Sequence, residues 1–185
     1  GNDTIEGGSG RDTVSYSDVT DGGMVIDLAG GTATGNDQTD TLSNIENVQA
    51  SNQDDTVVGS DANNRLEGRG GDDTISAGAG NDYVRGGTGD DAMDGGEGTD
   101  SLSYNDISGG GVDIDMVAGT ATGAGGSDTF TNFENVYGSN QDDTITGDAG
   151  NNMLDGERGD DVIDAGAGDD HVYGGLGDDT LDGGD

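Results

Sequence analysis

The sequence predicts an all-β fold, a right-handed parallel solenoid in which two parallel sheets face each other, each coil takes 18 residues, and irregular inserts interrupt the coils. Three observations predict it. A nine-residue repeat rich in Gly and Asp recurs along the 185 residues. The eighth position of every complete repeat is apolar. Neither helical periodicity nor a hairpin dipeptide at two-residue spacing is found, so short strands and tight turns stack most simply as a coil.

Composition alone indicates disorder. The chain has 40 Gly, 40 acidic residues, 5 basic residues, a formal net charge of −35 and only 28% hydrophobic residues. Glycine loses much backbone freedom on folding, and so large a charge resists compaction until counterions neutralise it. There is no Cys for disulfides or thiolate metal sites. The fold therefore needs stability from another source, and the excess of Asp over Glu indicates ligands at turns.

Two nested repeats organise the chain. Shifting the sequence by 88 residues aligns 1–97 with 89–185 without a gap, and more than half of the paired residues are identical. Nine-residue repeats lie inside this long repeat. Because the chain begins inside a repeat, we expect residues 1–185 to be one solenoid region of a larger protein. The predicted divisions are the end of an array at 1–15, an insert at 16–49, an array at 50–103, an insert at 104–137 and an array at 138–185.

The plainest repeat is GGTGDDAMD at 86–94, with glycine at positions one, two and four, Asp at position six and an apolar residue at position eight. Side chains alternate along a strand, so the apolar residue points inward and its neighbours point outward. The sixth positions are Asp12, Asp55, Asn64, Asp73, Asp82, Asp91, Asp100, Asp143, Asn152, Asp161, Asp170 and Asp179. The eighth positions are Val14, Val57, Leu66, Ile75, Val84, Met93, Leu102, Ile145, Leu154, Ile163, Val172 and Leu181.

The sixth positions predict a metal site. In an 18-residue coil, sixth-position carboxylates two repeats apart stack at the strand spacing of about 4.8 Å and repel each other. A divalent cation between them replaces repulsion with ligation. Carbonyl groups of the glycine turns complete an oxygen shell of the size that calcium prefers over magnesium. The sequence therefore predicts several Ca²⁺ ions along two edges of the solenoid.

These repeats resemble the RTX (repeats-in-toxin) family, whose GGxGxDxUx nonapeptide binds calcium in a parallel β-roll. The resemblance implies that each ion lies between turns n and n+2. Both sixth-position side chains hold it, with carbonyls from positions two and four of the first turn and one and three of the second. One implied site is Arg69, Gly71, Asp73, Gly86, Thr88 and Asp91, and another is Gly78, Gly80, Asp82, Gly95, Glu97 and Asp100.

The same resemblance extends the carbonyl ligands to all the arrays. The further implied positions are Ser51, Gln53, Gly68, Gly70, Ala77, Ala79, Ser139, Gln141, Gly150, Gly156, Glu157, Arg158, Gly159, Ala165, Ala167, Gly174 and Leu176. Asn64 and Asn152 supply a neutral oxygen, and Ser51 and Gln53 replace glycines. We therefore expect these edge sites to bind more weakly than the central ones.

The inserts resemble segments that flank RTX arrays, including those of secreted serralysin-type metalloproteases, through GTATG at 31–35, IENV at 45–48 and FENV at 133–136. The likeness implies that Glu46 closes a calcium site with Asp12, and that Glu134 closes one with Asp100. It also implies that the strands MVIDL and VDIDM continue the coil as irregular turns.

By this resemblance the chain is a calcium-binding and folding module without enzymatic activity of its own. It implies a secreted or cell-surface location and export through a type I secretion exporter. The alternative is an adhesive or carbohydrate-binding module whose partner is a glycan or a cell surface. An enzyme would need a catalytic domain outside this segment.

Other classes are excluded by charge and pattern. The five cations are scattered Arg residues, so nucleic acid would be repelled. No apolar run is long enough for a membrane span. An ice-binding face needs an unbroken outward Thr row, and position seven, which carries Thr56, Arg65, Thr74, Tyr83 and Ala92 in successive repeats, breaks it.

Overall fold

The computed structural model describes residues 1–184, and within them the chain forms only short strands. In chain order the first eleven are β1 Thr4–Glu6, β2 Thr13–Ser15, β3 Val25–Asp27, β4 Thr32–Gly35, β5 Gln38–Ser43, β6 Asn47–Gln49, β7 Thr56–Ser60, β8 Arg65–Gly70, β9 Thr74–Gly78, β10 Tyr83–Thr88 and β11 Ala92–Asp94. The others are β12 Ser101–Ser103, β13 Val112–Asp115, β14 Thr120–Gly123, β15 Ser127–Thr131, β16 Asn135–Tyr137, β17 Thr144–Thr146, β18 Met153–Asp155, β19 Val162–Asp164, β20 His171–Tyr173 and β21 Thr180–Asp182.

The strands form two sheets, and alternate repeats supply alternate sheets. Sheet A has the order β1-β5-β4-β3-β7-β9-β11-β15-β14-β13-β17-β19-β21, and sheet B has the order β2-β6-β8-β10-β12-β16-β18-β20. Within an array, neighbouring strands are parallel and pair residues 18 apart, as Thr74 does with Ala92 and Tyr83 with Arg65. The predicted all-β parallel coil of 18 residues is confirmed.

The inward eighth positions form the core between the sheets. Val57, Leu66 and Val84 are fully buried, and Ile75 is almost so. Residues from both sheets belong to one continuous apolar cluster. Each regular coil therefore contributes two large apolar side chains, one from each sheet, and burial per coil is small.

The inserts contain antiparallel hairpins that the sequence analysis did not predict. β4 pairs antiparallel with both β3 and β5, and Gly35 faces Gln38 across a two-residue turn. Asn36 and Asp37 in that turn both have left-handed φ values, of 50° and 58°. Both values match a primed hairpin turn. The expectation that the chain has no hairpin dipeptide was therefore wrong. The Asn-Asp pair adopts the left-handed conformations that a glycine-containing dipeptide usually provides in such a turn.

The predicted strand segments MVIDL and VDIDM supply β3 and β13, which join sheet A in parallel with β7 and β17. In the second insert β14 pairs antiparallel with β13 and β15. Each insert thus adds a three-stranded meander to sheet A. The chain then returns to sheet B, through β6 in the first insert and through β16 in the second.

The outward seventh positions divide between the sheets, which corrects the interpretation of the Thr row. Arg65 and Tyr83 lie on sheet B, so they do not interrupt a row on sheet A. On sheet A the row runs from Thr56 through Thr74 to Ala92. Ala92 is the residue that breaks it.

Candidate metal centre

Sixth-position side chains stack along the edge of each sheet, where the turns lead into the strands. The N–H of Asp55 donates to Oδ1 of Asp73 at 2.7 Å, and the N–H of Asp73 donates to Oδ1 of Asp91 at 2.9 Å. The N–H of Asp82 makes the same bond to Asp100 at 2.7 Å. We call these stacks the carboxylate ladders. The sheet A ladder comprises Asp55, Asp73, Asp91, Asp143, Asp161 and Asp179, and the sheet B ladder comprises Asn64, Asp82, Asp100, Asn152 and Asp170.

The second carboxylate oxygen is buried and has no partner at most rungs. Buried polar atoms in proteins almost always have a hydrogen-bond partner, so a row of exceptions needs a physical cause. A cation ligated by these oxygens would remove the cost of burying them. The unpartnered atoms are Oδ2 of Asp12, Asp73, Asp82, Asp91, Asp100, Asp161 and Asp170.

A main-chain carbonyl converges on the same point as the free carboxylate oxygen. A Cβ added to Gly68 would lie 2.2 Å from Oδ2 of Asp73 and 2.6 Å from the carbonyl oxygen of Gly86. The same applies to Gly156, whose Cβ would lie 2.2 Å from Oδ2 of Asp161 and 2.7 Å from the carbonyl oxygen of Gly174. In these two turns a side chain at position one would fill the space between two ligand oxygens, whereas Ala77 and Ala165 occupy position one in other turns.

Positions two and four of each turn stack directly on the carbonyls of the turn before. A Cβ on Gly87 would lie 2.0 Å from the carbonyl oxygen of Arg69, and one on Gly89 would lie 2.0 Å from that of Gly71. Both glycines have positive φ, of 109° and 134°. Arg69 itself adopts a φ of 83°, so its side chain leaves the turn geometry intact.

In residues 1–184 no group of three or more acidic or histidine side chains is placed to hold a metal ion. Any ion on the ladders must therefore take most of its ligands from the main chain. The position-three carbonyls of Thr88, Glu97 and Leu176 each accept one N–H, from Gly71, Gly80 and Gly159. Each keeps a second lone pair. Two carboxylates and several carbonyls give the all-oxygen shell that calcium favours.

A family profile described as the RTX calcium-binding nonapeptide repeat matches the chain at residues 1–21, 49–84, 67–102, 130–163 and 155–185. These segments cover more than half of the 185 residues. The chain belongs to the RTX calcium-binding nonapeptide repeat family. A search of curated proteins found no match. Nothing in residues 1–184 forms a helix that could span a lipid bilayer.

Some RTX turns are closed by hydrogen bonds instead. The Ser51 N–H donates to Oδ2 of Asp55 at 2.7 Å, and its hydroxyl also donates to that carboxylate. Ser139 repeats this at Asp143, with an N–H bond of 2.5 Å. In each complete array the first turn on the sheet A edge therefore has no free carboxylate oxygen, because hydrogen bonds within the turn satisfy its aspartate.

The two asparagines close their turns in the same way. Oδ1 of Asn64 accepts the Ser60 N–H at 2.7 Å, and its Nδ2 donates to the carbonyl of Glu46 at 2.8 Å. Asn152 bonds the Asp148 N–H at 3.0 Å and the carbonyl of Glu134 at 3.2 Å. Each asparagine therefore joins the first sheet B turn of an array to the insert before it.

Each insert glutamate lies beside the aspartate with which the resemblance paired it. The N–H of Asp12 donates to Oε2 of Glu46 at 2.9 Å, and that of Asp100 donates to Oε2 of Glu134 at 2.8 Å. Each glutamate thus continues the sheet B ladder beyond an aspartate whose Oδ2 is free. The bonds bring the two predicted pairs together.

Sequence reasoning missed two further carboxylates, Asp40 and Asp128, which continue the sheet A ladder. Oδ1 of Asp40 accepts the Asp3 N–H at 2.8 Å, and Oδ1 of Asp128 accepts the Asp91 N–H at 3.0 Å. Both side chains are largely buried. The available signal was their separation of 88 residues, with a Thr after each, in both inserts.

Burial makes the ladder carboxylates hard to ionise without a cation. Burial, with the charges of Asp91 and Asp55 nearby, raises the pKa of Asp73 to about 8. Burial and the Asp128 charge raise the pKa of Asp91 to about 7. Burial raises the pKa of Asp82 and of Asp161 to about 6. At neutral pH a positive charge between these groups offsets their mutual repulsion.

Proposed function

We propose that this chain is a conditional fold, an RTX module that is disordered without calcium and coils when calcium occupies its turns. The observation that carries the proposal is the row of seven buried carboxylate oxygens without partners. Water solvates such oxygens in the unfolded chain, whereas in the fold only a cation would compensate for the lost water. Bound calcium would supply that positive charge. Folding and calcium binding are then one equilibrium.

The proposed ion sites lie where an aspartate with a free oxygen is followed by another carboxylate on the next rung. Asp73 and Asp91 hold one ion with the carbonyls of Arg69, Gly71, Gly86 and Thr88, and Asp82 and Asp100 hold the matching ion with Gly78, Gly80, Gly95 and Glu97. Asp161 and Asp179 hold an ion with Glu157, Gly159, Gly174 and Leu176. Asp12 with Glu46, and Asp100 with Glu134, form the insert sites. In each, the N–H bond from the preceding rung fixes the orientation of one carboxylate.

The hydrogen-bonded turns are the weak ones in this proposal. Ser51 and Ser139 already satisfy Asp55 and Asp143, so an ion there must displace those hydrogen bonds. Asn64 and Asn152 likewise already use their side-chain oxygen and their side-chain nitrogen in hydrogen bonds. Binding that breaks existing bonds gains less free energy. We expect these turns, with Gln53, Gly68, Gly70, Ala77, Ala79, Gln141, Gly150, Gly156, Arg158, Ala165 and Ala167, to bind calcium last.

A secreted role follows from calcium dependence. Calcium is scarce in cytosol and abundant outside cells, so a chain of this kind stays unfolded until it leaves the cell. Family resemblance supports passage through a type I secretion exporter, which carries unfolded chains. The net charge of −35 helps to keep the calcium-free chain expanded.

The test is far-UV circular dichroism during a calcium titration of the chelator-treated chain. We expect a coil spectrum in EGTA and a steep, cooperative gain of β-structure as calcium rises. Magnesium at the same concentration should produce much less structure, because it dehydrates reluctantly and prefers a rigid octahedron. A β-sheet spectrum in EGTA would falsify the proposal.

A second candidate function, adhesion to a neutral glycan, has one observation in its favour. On the outer face of sheet B, Tyr83 lies beneath the guanidinium groups of Arg65 and Arg85, at 4.7 Å and 5.3 Å from its ring centre, and the Tyr137 ring is 6.1 Å away. Aromatic rings and planar hydrogen-bond donors suit sugar binding. A glycan array screened with calcium present tests it, and an array without any binding would exclude this second candidate.

A further inference from the structure

Residues 123–128 in the second insert form a turn that we call the insert turn. The RTX profile does not match it. The strand that follows, β15, pairs in parallel with β11 through Ala92 and Thr129. β11 pairs with β9 in the same way, through Ala92 and Thr74. The insert turn therefore occupies the place of the next RTX turn on the sheet A edge, although its register partner is 37 residues away in sequence instead of 18.

The main-chain bonds of the insert turn repeat those of a regular turn. The Ser127 N–H donates to Oδ1 of Asp90 at 2.9 Å, as the Asp90 N–H does to Oδ1 of Asp72. The Gly89 N–H donates to the carbonyl of Gly125 at 2.8 Å. In the turn before, the Gly71 N–H makes this bond to Thr88. Gly125 therefore stands at position three.

The glycine that follows has the geometry of position four. Gly126 has a φ of 140°, and a Cβ on it would lie 1.9 Å from the carbonyl oxygen of Gly89. The corresponding values for Gly89 over Gly71 are 134° and 2.0 Å. Asp128 then falls at position six, where its Oδ1 accepts the Asp91 N–H at 3.0 Å. Positions three to six of a regular turn are thus all present.

An independent observation points to a ligand in this turn. Asp91 is 2% exposed, and its Oδ2 has no partner. Its Oδ1 is already used by the Asp73 N–H, on the side of the preceding turn. Oδ2 lies against Gly86 as Oδ2 of Asp73 lies against Gly68. The free oxygen of Asp91 therefore faces the space shared with Asp128.

We propose that Asp91 and Asp128 share a calcium ion at a site that no pair of nonapeptide repeats forms. The carbonyls of Gly87, Gly89 and Gly125 supply further ligands. This inference rests on the proposed function, since it assigns one more ion to the same ladder. It makes the insert part of the ion-binding array instead of an interruption in it.

The first insert lacks the features that carry this proposal. Oδ1 of Asp40 accepts the N–H of Asp3, just as Oδ1 of Asp128 accepts the N–H of Asp91. Oδ2 of Asp40, however, accepts the Tyr16 hydroxyl at 3.1 Å. Its turn has Asn36 and Asp37 in left-handed geometry, and the counterparts of these two residues in the second insert, 88 residues later, are Ala124 and Gly125. In the second insert burial raises the pKa of Asp128 and the nearby hydroxyl of Tyr104, the counterpart of Tyr16, opposes that rise, although this hydroxyl makes no hydrogen bond of ordinary geometry.

The test counts bound calcium by native mass spectrometry on the full chain at saturating calcium, for the wild type, Asp128→Asn and Asp106→Asn. Asp106 is an exposed residue of the same insert, so its variant makes the same change of charge away from the ladders. We expect Asp128→Asn to hold one ion fewer than the wild type, and Asp106→Asn to hold the same number. An equal count in all three chains overturns the inference.

A second measurement covers the case in which Asp128→Asn does not fold. Crystals of the wild-type chain soaked in terbium should give an anomalous difference peak between Asp91 and Asp128. Peaks between Asp73 and Asp91 without one beyond Asp91 would overturn the inference while leaving the proposed function intact. A wild-type chain that binds no calcium at all refutes the proposed function instead, so the two failures are distinguishable.

Discussion

The main-chain N–H of Asp73 donates a 2.9 Å hydrogen bond to Oδ1 of Asp91, the residue at the same position one coil later. Oδ2 of each of these residues has no partner. One carboxylate therefore has two tasks, because Oδ1 ties it to the previous coil and Oδ2 is left for an ion. Losing an ion weakens the orientation of the rung beside it. We expect neighbouring sites to fill cooperatively for this reason.

Replacing the central carboxylate Asp73 should impair calcium-dependent folding. Asp73→Asn keeps the side-chain volume but replaces the carboxylate with an amide. The amide offers only one neutral oxygen to the two ions proposed on either side of this residue. We expect the calcium midpoint of folding to rise about tenfold or more, which is about 1.4 kcal/mol for each tenfold change. Far-UV circular dichroism during calcium titration measures the midpoint.

Asp61→Asn is the matched control for that variant. Asp61 is exposed and lies outside both ladders, yet the substitution removes the same charge. Its midpoint should stay close to that of the wild type. If both variants moved the midpoint equally, net charge would explain the effect and the ladder would not.

The regular arrays were predictable because a single short period determines them. Two nine-residue repeats bring Asp91 and Met93 to the same places as Asp73 and Ile75, so the sequence alone places the ladder and the core. The insert ligand Asp128 was not predictable in this way. Its register with Asp91, 37 residues earlier in the chain, depends on an antiparallel meander, and no local period reports such a pairing.

The hydrogen bonds of Asn64 and the hairpin turn were not predictable for a different reason. Composition shows that Asn64 has lost a charge, but the bond from its amide to Glu46 depends on how the first insert folds. At the hairpin turn Asn36 and Asp37 have left-handed backbone conformations. Asn and Asp can adopt this conformation, but their presence in a sequence does not require it. Both features are decided by tertiary pairing.

Acid should partly replace calcium. Burial raises the pKa of Asp73 to about 8 and that of Asp91 to about 7, from an ordinary value of 3.8. A pKa that is higher in the fold than in the unfolded chain means that the metal-free fold binds more protons. Its stability is then greatest below about pH 4 and is lost as pH rises through 6 to 8. Far-UV circular dichroism of calcium-stripped protein should show more β-structure at pH 4 than at pH 8.

A high-salt control separates screening of the net charge from protonation of the carboxylates. High salt at pH 8 reduces repulsion without protonating the carboxylates. It should restore less structure than acid does. A calcium-free spectrum that stays the same from pH 8 to pH 4 would contradict the prediction.

A methyl group at position two should block the stacking of turns. In Gly87→Ala the new Cβ would lie 2.0 Å from the carbonyl oxygen of Arg69, at a φ of 109° that alanine rarely adopts. The backbone strain alone costs about 1 to 3 kcal/mol. We expect a lower urea midpoint at saturating calcium. Gly183→Ala is the control, since no atom lies within 4 Å of its Cβ, and an equal loss in both variants would argue against the steric account.

Restoring the aspartate at position 64 should destabilise the chain without adding an ion. In Asn64→Asp the side chain can no longer donate to the Glu46 carbonyl at 2.8 Å, and it turns a negative oxygen toward that carbonyl. We expect a loss of about 1 to 3 kcal/mol in the free energy of unfolding at saturating calcium. Urea unfolding measures the loss, and native mass spectrometry should count the same number of ions as in the wild type.

Asn63→Asp provides the control in the same turn. Oδ1 of Asn63 accepts the Asn81 N–H at 3.0 Å, and Asp54 accepts the Asp72 N–H in the same way in the neighbouring turn, so a carboxylate keeps this bond. Its stability should remain near that of the wild type. If Asn64→Asp gained both an ion and stability, Asn64 would be a weakened ligand position. It would then not be the hydrogen-bonded joint between the first insert and the array.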